Sequence, residues 1–343
     1  MESNLEVFLE AATPRLRWRS APMTMNLMET WTSRSFHCSY QIRLCCHKEL
    51  LIAIDDYFEG PNNIWQLDKK DTFDYFTLED LWEHYSESSA YGITVPLRLE
   101  TGDTITQHFV PYLSAIQLYT TKTLAVPRSM GSETDSWSDD SIGEKLSRSW
   151  DAASYDSSND EFDSPPAKHC GYLNFQYSEW DPPYERAPLA DKVAELAQDY
   201  PCLTSLKSAE LSPSSWLSVA WYPIYHIPAH GKLKGTSASF LTYYCISSVF
   251  QDKILGDCGG SDCRTVALTP FGLVTYRMEG KLWNWRDPNA AAAGSSSNRL
   301  SDLHWAASSW LKQVGAHHPD FSFFTSRRSA SHDAYSPIHM TWR

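Results

Sequence analysis

The sequence predicts an α+β fold: a largely antiparallel sheet with three or four helices packed on it, interrupted by a disordered acidic insertion. Three observations carry this reading. Residues 211–228, LSPSSWLSVAWYPIYHIP, form a near-continuous apolar and aromatic run of the kind that makes a strand covered on both faces. Strand-like runs bounded by turn signals outnumber the stretches with helical spacing. Between residues 131 and 166 the composition changes abruptly, with ten acids against Lys145 and Arg148, ten serines and few aliphatics. Such a segment cannot bury enough apolar surface to offset its ordering entropy.

Taken in order, Ser3 and Glu6 have the spacing of a capping box, and Leu5, Phe8 and Leu9 share a face, which predicts a helix over 3–12. Thr13-Pro14 ends it. From 15 to about 50 no period is visible and no element is assigned. Residues 50–54 suit a strand, and 55–74 a turn-rich connection. Thr77 with Asp80 opens a second helix, whose Leu78, Leu81, Trp82 and Tyr85 face the core. Residues 93–99 and 105–119 pair as strands across Thr101-Gly102-Asp103, with a bulge expected at Pro111.

Beyond the insertion, 172–177 is a strand and Asp181-Pro182-Pro183 a turn. Pro188 stands at a helix start, and Leu189, Val193, Leu196, Ala197 and Tyr200 define one face of that helix, which ends before Pro201. The organising strand follows. Pro223 lacks a ladder donor, so a bulge or edge is expected there. Residues 239–249 and 264–276 read as two further strands, and 281–285 as a hairpin partner. After a flexible Ala and Ser tract (289–298), a helix over 300–314 ends at Gly315. Residues 321–324 suggest an edge strand, and 328–343 a loose tail. One α+β domain, in two parts (1–130 and 167–327), therefore flanks the acidic insertion.

The 343 residues carry a net charge of -13, which excludes non-specific binding to nucleic acid or an anionic membrane, since both need a basic surface. No apolar run is long enough to span a bilayer, and the acidic start is unlike a secretory or transit signal. Eight irregularly spaced cysteines and no Asn-x-Ser/Thr sequon point to reduced thiols in the cytoplasm or nucleus.

Several constellations were weighed for chemistry. His226 and His230 have helical metal spacing, but Pro228 lies between them in a strand-like run. Cys258 and Cys263 lack a second matching pair, and Cys38, Cys45, Cys46 and His47 sit where no element is assigned; no metal is assigned. Gly259-Gly260-Ser261-Asp262-Cys263 lacks the second glycine of a nucleophile elbow. No Gly-rich nucleotide loop is present, so no catalytic residue and no cofactor is assigned.

Two sets of residues remain. Trp180, Asp181, Tyr184, Arg186, Trp221, Tyr222, Tyr225 and His226 are candidates for an aromatic pocket with a few polar groups, centred near Pro223. Ser132, Ser138 and Ser158 precede acids in SETD, SWSDD and SSNDE, which suits an acid-directed serine kinase. The first set points to an enzyme of unknown class or a small-molecule binder, the second to a non-catalytic interaction or regulatory protein with an unknown protein partner.

The blocks YFTLEDLWEHYSESSAYG (75–92), FVPYLSAIQLY (109–119), DPPYERAPLADKVAELA (181–197), LSPSSWLSVAWYPIYHIP, FLTYY (240–244), FGLVTYR (271–277) and HHPDFSFF (317–324) together resemble plant proteins of the domain of unknown function 789 family. The blocks keep the family's order across most of the chain. The resemblance implies a plant source and one intact domain, and carries over no catalytic residue. Residues 25–53 depart from the family's pattern, as an altered splice product or gene model would.

Overall fold

The structure is a computed structural model, and it describes residues 3–22, 72–120, 171–224, 238–248, 254–255, 264–284 and 296–326. The first half contains α1 (Asn4–Ala11), β1 (Arg15–Arg17), β2 (Arg19–Pro22), β3 (Thr72–Tyr75), α2 (Leu78–Tyr91), β4 (Ile93–Arg98) and β5 (Thr104–Thr120). Next come β6 (Tyr172–Ser178), a 3-10 turn (Pro183–Glu185), α3 (Leu189–Asp199), α4 (Cys202–Ser205), β7 (Trp216–Pro223) and β8 (Ser239–Cys245). The remainder is β9 (Ile254–Leu255), β10 (Arg264–Ala267), β11 (Gly272–Tyr276), α5 (Gly280–Trp283), α6 (Ser296–Gln313) and α7 (Pro319–Ser326). The expected strand at 50–54, the departure at 25–53, the insertion at 131–166 and the tail at 328–343 lie outside the described residues.

Six strands form one antiparallel sheet in the order β11-β8-β7-β5-β4, with β6 joining β5 beyond the end of β4. Two small sheets, β1-β10-β9 and β2-β3, stand beside it. The run 211–228 supplies β7, which is buried from Trp216 to Trp221 and covered on both faces. Alternation sends Leu217, Val219 and Trp221 to one face, where they join Phe8, Phe109, Phe240 and Trp283 under α1, α2, α3 and α5. Trp216 and Ala220 point to the other, toward Ala307, Trp310 and Leu311 of α6 and Phe324 of α7.

Local chemistry sets two of the helix starts. Ser3 and Glu6 form the reciprocal capping box at α1, and Thr77 and Asp80 do the same at α2. The box seats α1 so that Phe8 enters the aromatic core, 4.1 Å from the Phe240 ring and 5.3 Å from Phe109. Asn4 in the same helix closes the edge of β4. Its Nδ2 donates to the carbonyls of Arg98 and Leu282, and its Oδ1 accepts from the Arg98 N–H, all at 2.8 Å. An unpaired edge is thereby blunted by a side chain.

Four expectations need correction. Residues 264–276 form two strands, because Thr269 and Pro270 interrupt the run: β10 pairs with β1 in a small sheet, and β11 pairs with β8. Residues 281–285 do not make a hairpin strand. A single helical turn, with Trp283 N–H bonded to Glu279 O at 3.1 Å, puts the Trp283 ring 4.7 Å from Phe240. Residues 321–324 lie in α7, where Pro319 opens the helix and Phe324 turns inward against Tyr222 and Tyr276. With α7 included, five helices of eight or more residues surround the sheet among the described residues.

The fourth correction concerns the bulge expected at Pro111; at Pro223, of the two alternatives, the edge holds. The register runs unbroken through Trp221↔Pro111, Tyr222↔Val110 and Pro223↔Phe109, and the bulge falls instead on β5 at Ser114, opposite Ser218. Ile224 N–H bonds His108 O at 3.1 Å, so Pro223, one residue out of phase, turns its donorless nitrogen away from β5. On that side β8 pairing has already ended at Trp221. By the same phase Pro111 faces the gap between the last β4 pair, at Phe109, and the first β6 pair, at Ala115. Neither proline leaves a ladder bond unmade. Among the described residues no helix is long and apolar enough to cross a membrane.

Candidate functional site

The segment that follows β6, residues 179–186 (EWDPPYER), is tied down by its inward-facing groups. Glu179 is buried, and its Oε1 accepts the N–H groups of Trp180 and Asp181 at 2.9 and 3.0 Å while Oε2 accepts the Tyr177 hydroxyl at 2.8 Å. Pro182 and Pro183 lead into the 3-10 turn, and Arg186 Nε donates back to the Asp181 carbonyl at 2.7 Å. With the backbone fixed at both ends, Trp180 and Tyr184 point outward, 70% and 65% exposed. The Trp180 indole lies flat on the His317 ring, with centroids 5.3 Å apart.

Arg186 turns the other way. Its side chain is 4% exposed and grips Asp320 through two parallel bonds of 2.7 and 2.8 Å. Burial by itself would lower the pKa of Arg186, but the Asp320 carboxylate outweighs it and the group stays charged. Asp320 lies in the first turn of α7, where an acid also complements the helix dipole. Its Oδ2 further accepts the Ser114 hydroxyl at 2.5 Å, and Ser114 Oγ is 2.8 Å from His318 Nε2. His318 Nδ1 in turn lies 2.9 Å from the Tyr243 hydroxyl. The bulge in β5 is what aims Ser114 at α7.

These distances fix where each proton sits. A carboxylate paired with Arg186 only accepts, so the Ser114 proton goes to Asp320. His318 Nε2 must then carry its own proton and donate it to Ser114, leaving Nδ1 to accept from Tyr243. Burial pushes the His318 imidazolium down to about 4, against the opposing pull of Asp320, so the ring is neutral at pH 7, as this order requires. A serine beside a histidine invites a nucleophilic reading, yet here the imidazole donates to the hydroxyl and cannot remove its proton. Ser114 is also 0% exposed. The network is a polar clasp that fastens α7 to β5, β8 and the segment after β6.

The candidate pocket residues are placed as follows. Trp180, Asp181 and Tyr184 are each exposed on the segment, and the Arg186 side chain is buried. Tyr222 shares the sheet face with the clasp, its ring 6.0 Å from the Arg186 guanidinium. Trp221 faces the opposite side of the sheet, where its Nε1 donates to Thr242 Oγ1 at 2.9 Å. Tyr225 and His226 lie outside the described residues, as do Ser132, Ser138 and Ser158.

Sequence reasoning missed Ser114, Tyr243, His318 and Asp320 as a set. The one local signal was HHPDFSFF, in which Pro319 followed by Asp320 is a helix start; the contacts themselves span up to 206 positions. Among the described residues no group of three or more His, Cys, Asp or Glu side chains is placed to hold a metal ion. Cys202 and Cys245 are in no disulfide; the Cys245 thiol donates to the Pro213 carbonyl at 3.8 Å, and burial pushes it up to about 11, away from thiolate chemistry.

No curated protein and no solved structure matches the chain. A family described as protein of unknown function (DUF789) matches residues 3–324, from the cap of α1 to the inward phenylalanine of α7. The chain belongs to the DUF789 family.

Proposed function

We propose that the protein is a non-catalytic interaction or regulatory protein, in which residues 131–166 are phosphorylated on Ser132, Ser138 and Ser158 and recruit an arginine-rich partner. One observation supports this most: the acidic segment leaves and re-enters the sheet at a single paired position. Thr120, the last residue of β5, is the register partner of Tyr172, the first of β6. Gly171, at φ 139°, makes the re-entry, and a Cβ there would meet the Thr120 carbonyl oxygen at 2.6 Å. The sequence between is thus an insertion at one paired position, with a net charge of -8 over 131–166. Each phosphate adds further negative charge and three acceptor oxygens suited to guanidinium groups. The proton order at Ser114 supports the non-catalytic half of the reading.

Phosphopeptide mapping of the chain isolated from cells tests the first step. Modification at these serines is the expected result, with partner capture lost after phosphatase treatment; an unmodified segment contradicts it.

A second reading, an enzyme or small-molecule binder, is favoured by one group. The Tyr222 hydroxyl is buried with no hydrogen-bond partner, beside Arg186, and a ligand acceptor would satisfy it. Thermal-shift screening of metabolites, with Asp181→Ala and Tyr222→Phe as controls, separates the two. This reading requires a stabilising compound whose effect those substitutions remove.

A further inference from the structure

We propose that the outward face of residues 180–185 is a preformed docking site for an arginine- or lysine-bearing segment of a partner protein. This site lies on the folded core and is independent of the acidic segment.

Exposure is the first argument. Trp180 and Tyr184 are 70% and 65% exposed within five residues, and these two residue types dominate the energetic centres of protein interfaces. Rigidity is the second. The Glu179 carboxylate holds two backbone N–H groups, Arg186 holds the Asp181 carbonyl and Asp320, and two prolines stiffen the turn between them. A segment fixed before binding loses little entropy on association. The His317 ring supports the indole from beneath, so one indole face is already set.

Charge complementarity identifies the occupant. The exposed charges of the segment are the carboxylates of Asp181 and Glu185, and its one cation, Arg186, is buried and spent on Asp320. Aromatic faces beside carboxylates suit a guanidinium or ammonium group, which stacks on the rings and bonds the acids.

The test uses the full-length chain and short peptides in a Gly/Ser background that differ in a central Arg, Lys, Gln or Glu, with binding read by fluorescence anisotropy. The Arg and Lys peptides are expected to bind, and the Gln and Glu peptides not to. Trp180→Ala with Tyr184→Ala weakens binding roughly tenfold or more. Asp181→Lys with Glu185→Lys shifts selection toward the Glu peptide. All four side chains are exposed, so thermal unfolding stays at the wild-type midpoint.

The acidic segment is present in every variant. Basic-peptide binding that is unchanged by the aromatic substitutions therefore belongs to that segment, which overturns the docking site while leaving the proposed function standing. Absence of basic selectivity overturns it outright. A gain in peptide affinity on Arg327→Glu with Arg328→Glu assigns the face to the chain's own tail, and overturns the partner.

Discussion

Arg186 and Asp320 form a buried pair, and such pairs reveal themselves when one member is removed. Asp320→Ala leaves the guanidinium uncompensated beneath Tyr222, so a loss of about 3–5 kcal/mol is expected in chemical unfolding. Replacing both members with apolar residues of similar volume recovers most of that loss. His318 gives a pH signature. Its folded pKa of about 4 lies below the ordinary histidine value of 6.5, so between these the unfolded chain binds the extra proton. Stability is therefore full above pH 6.5 and falls as the pH drops toward 4, by up to about 3 kcal/mol from this residue. His318→Gln should flatten that part of the stability profile, and an unchanged slope would show that the ring titrates normally. Tyr222→Phe removes a buried hydroxyl without a partner, and is expected to leave stability unchanged or slightly raised.

The elements differ in how far the sequence declares them. The first two helices are legible because each start is a four-residue pattern, Ser3 to Glu6 and Thr77 to Asp80, and the cap is made within those four residues. The last helix was read as a strand because FSFF is a short apolar run, and runs of that length fit either period. Only Pro319 and Asp320 distinguish the two. Pro111 suggests a bulge and Pro223 a bulge or an edge, because the sequence does not show where the neighbouring strands stop; β8 ends at Trp221, so Pro223 stands at an edge. The real bulge, at Ser114, answers to a histidine 204 positions away. Contacts between elements explain one further constraint. A Cβ on Gly272 would lie 2.9 Å from the Ala307 Cβ, so β11 and α6 approach as closely as a glycine allows. Gly272→Val is expected to cost about 1–3 kcal/mol through overpacking, measured by urea unfolding, whereas a neutral result would show that α6 moves freely off the sheet.

At the scale of the whole molecule, the sheet and the acidic segment follow different rules. The sheet owes its order to aromatic packing across β7 and β5, which the run 211–228 announced, and the segment's composition announced an appendage. What the sequence did not declare is their junction at Thr120 and Tyr172. That junction predicts that replacing residues 121–171 by a two-residue Asn-Gly turn leaves the fold intact. Closing a loop of two residues in place of fifty-one saves roughly 2–3 kcal/mol of chain entropy, so the thermal midpoint should hold or rise. A fall of many degrees would make the segment part of the core.

The proposed function rests on phosphorylation of residues 131–166 and on a partner that needs it. Affinity capture from cells, quantified by mass spectrometry, tests it with three chains: the intact one, one lacking residues 131–166, and one with Ser132→Ala, Ser138→Ala and Ser158→Ala. At least one partner is expected to be held by the intact chain and lost from both altered ones, while any partner seated on residues 180–185 is retained by all three. If no partner of the intact chain is lost from the two altered ones, the proposed function is contradicted.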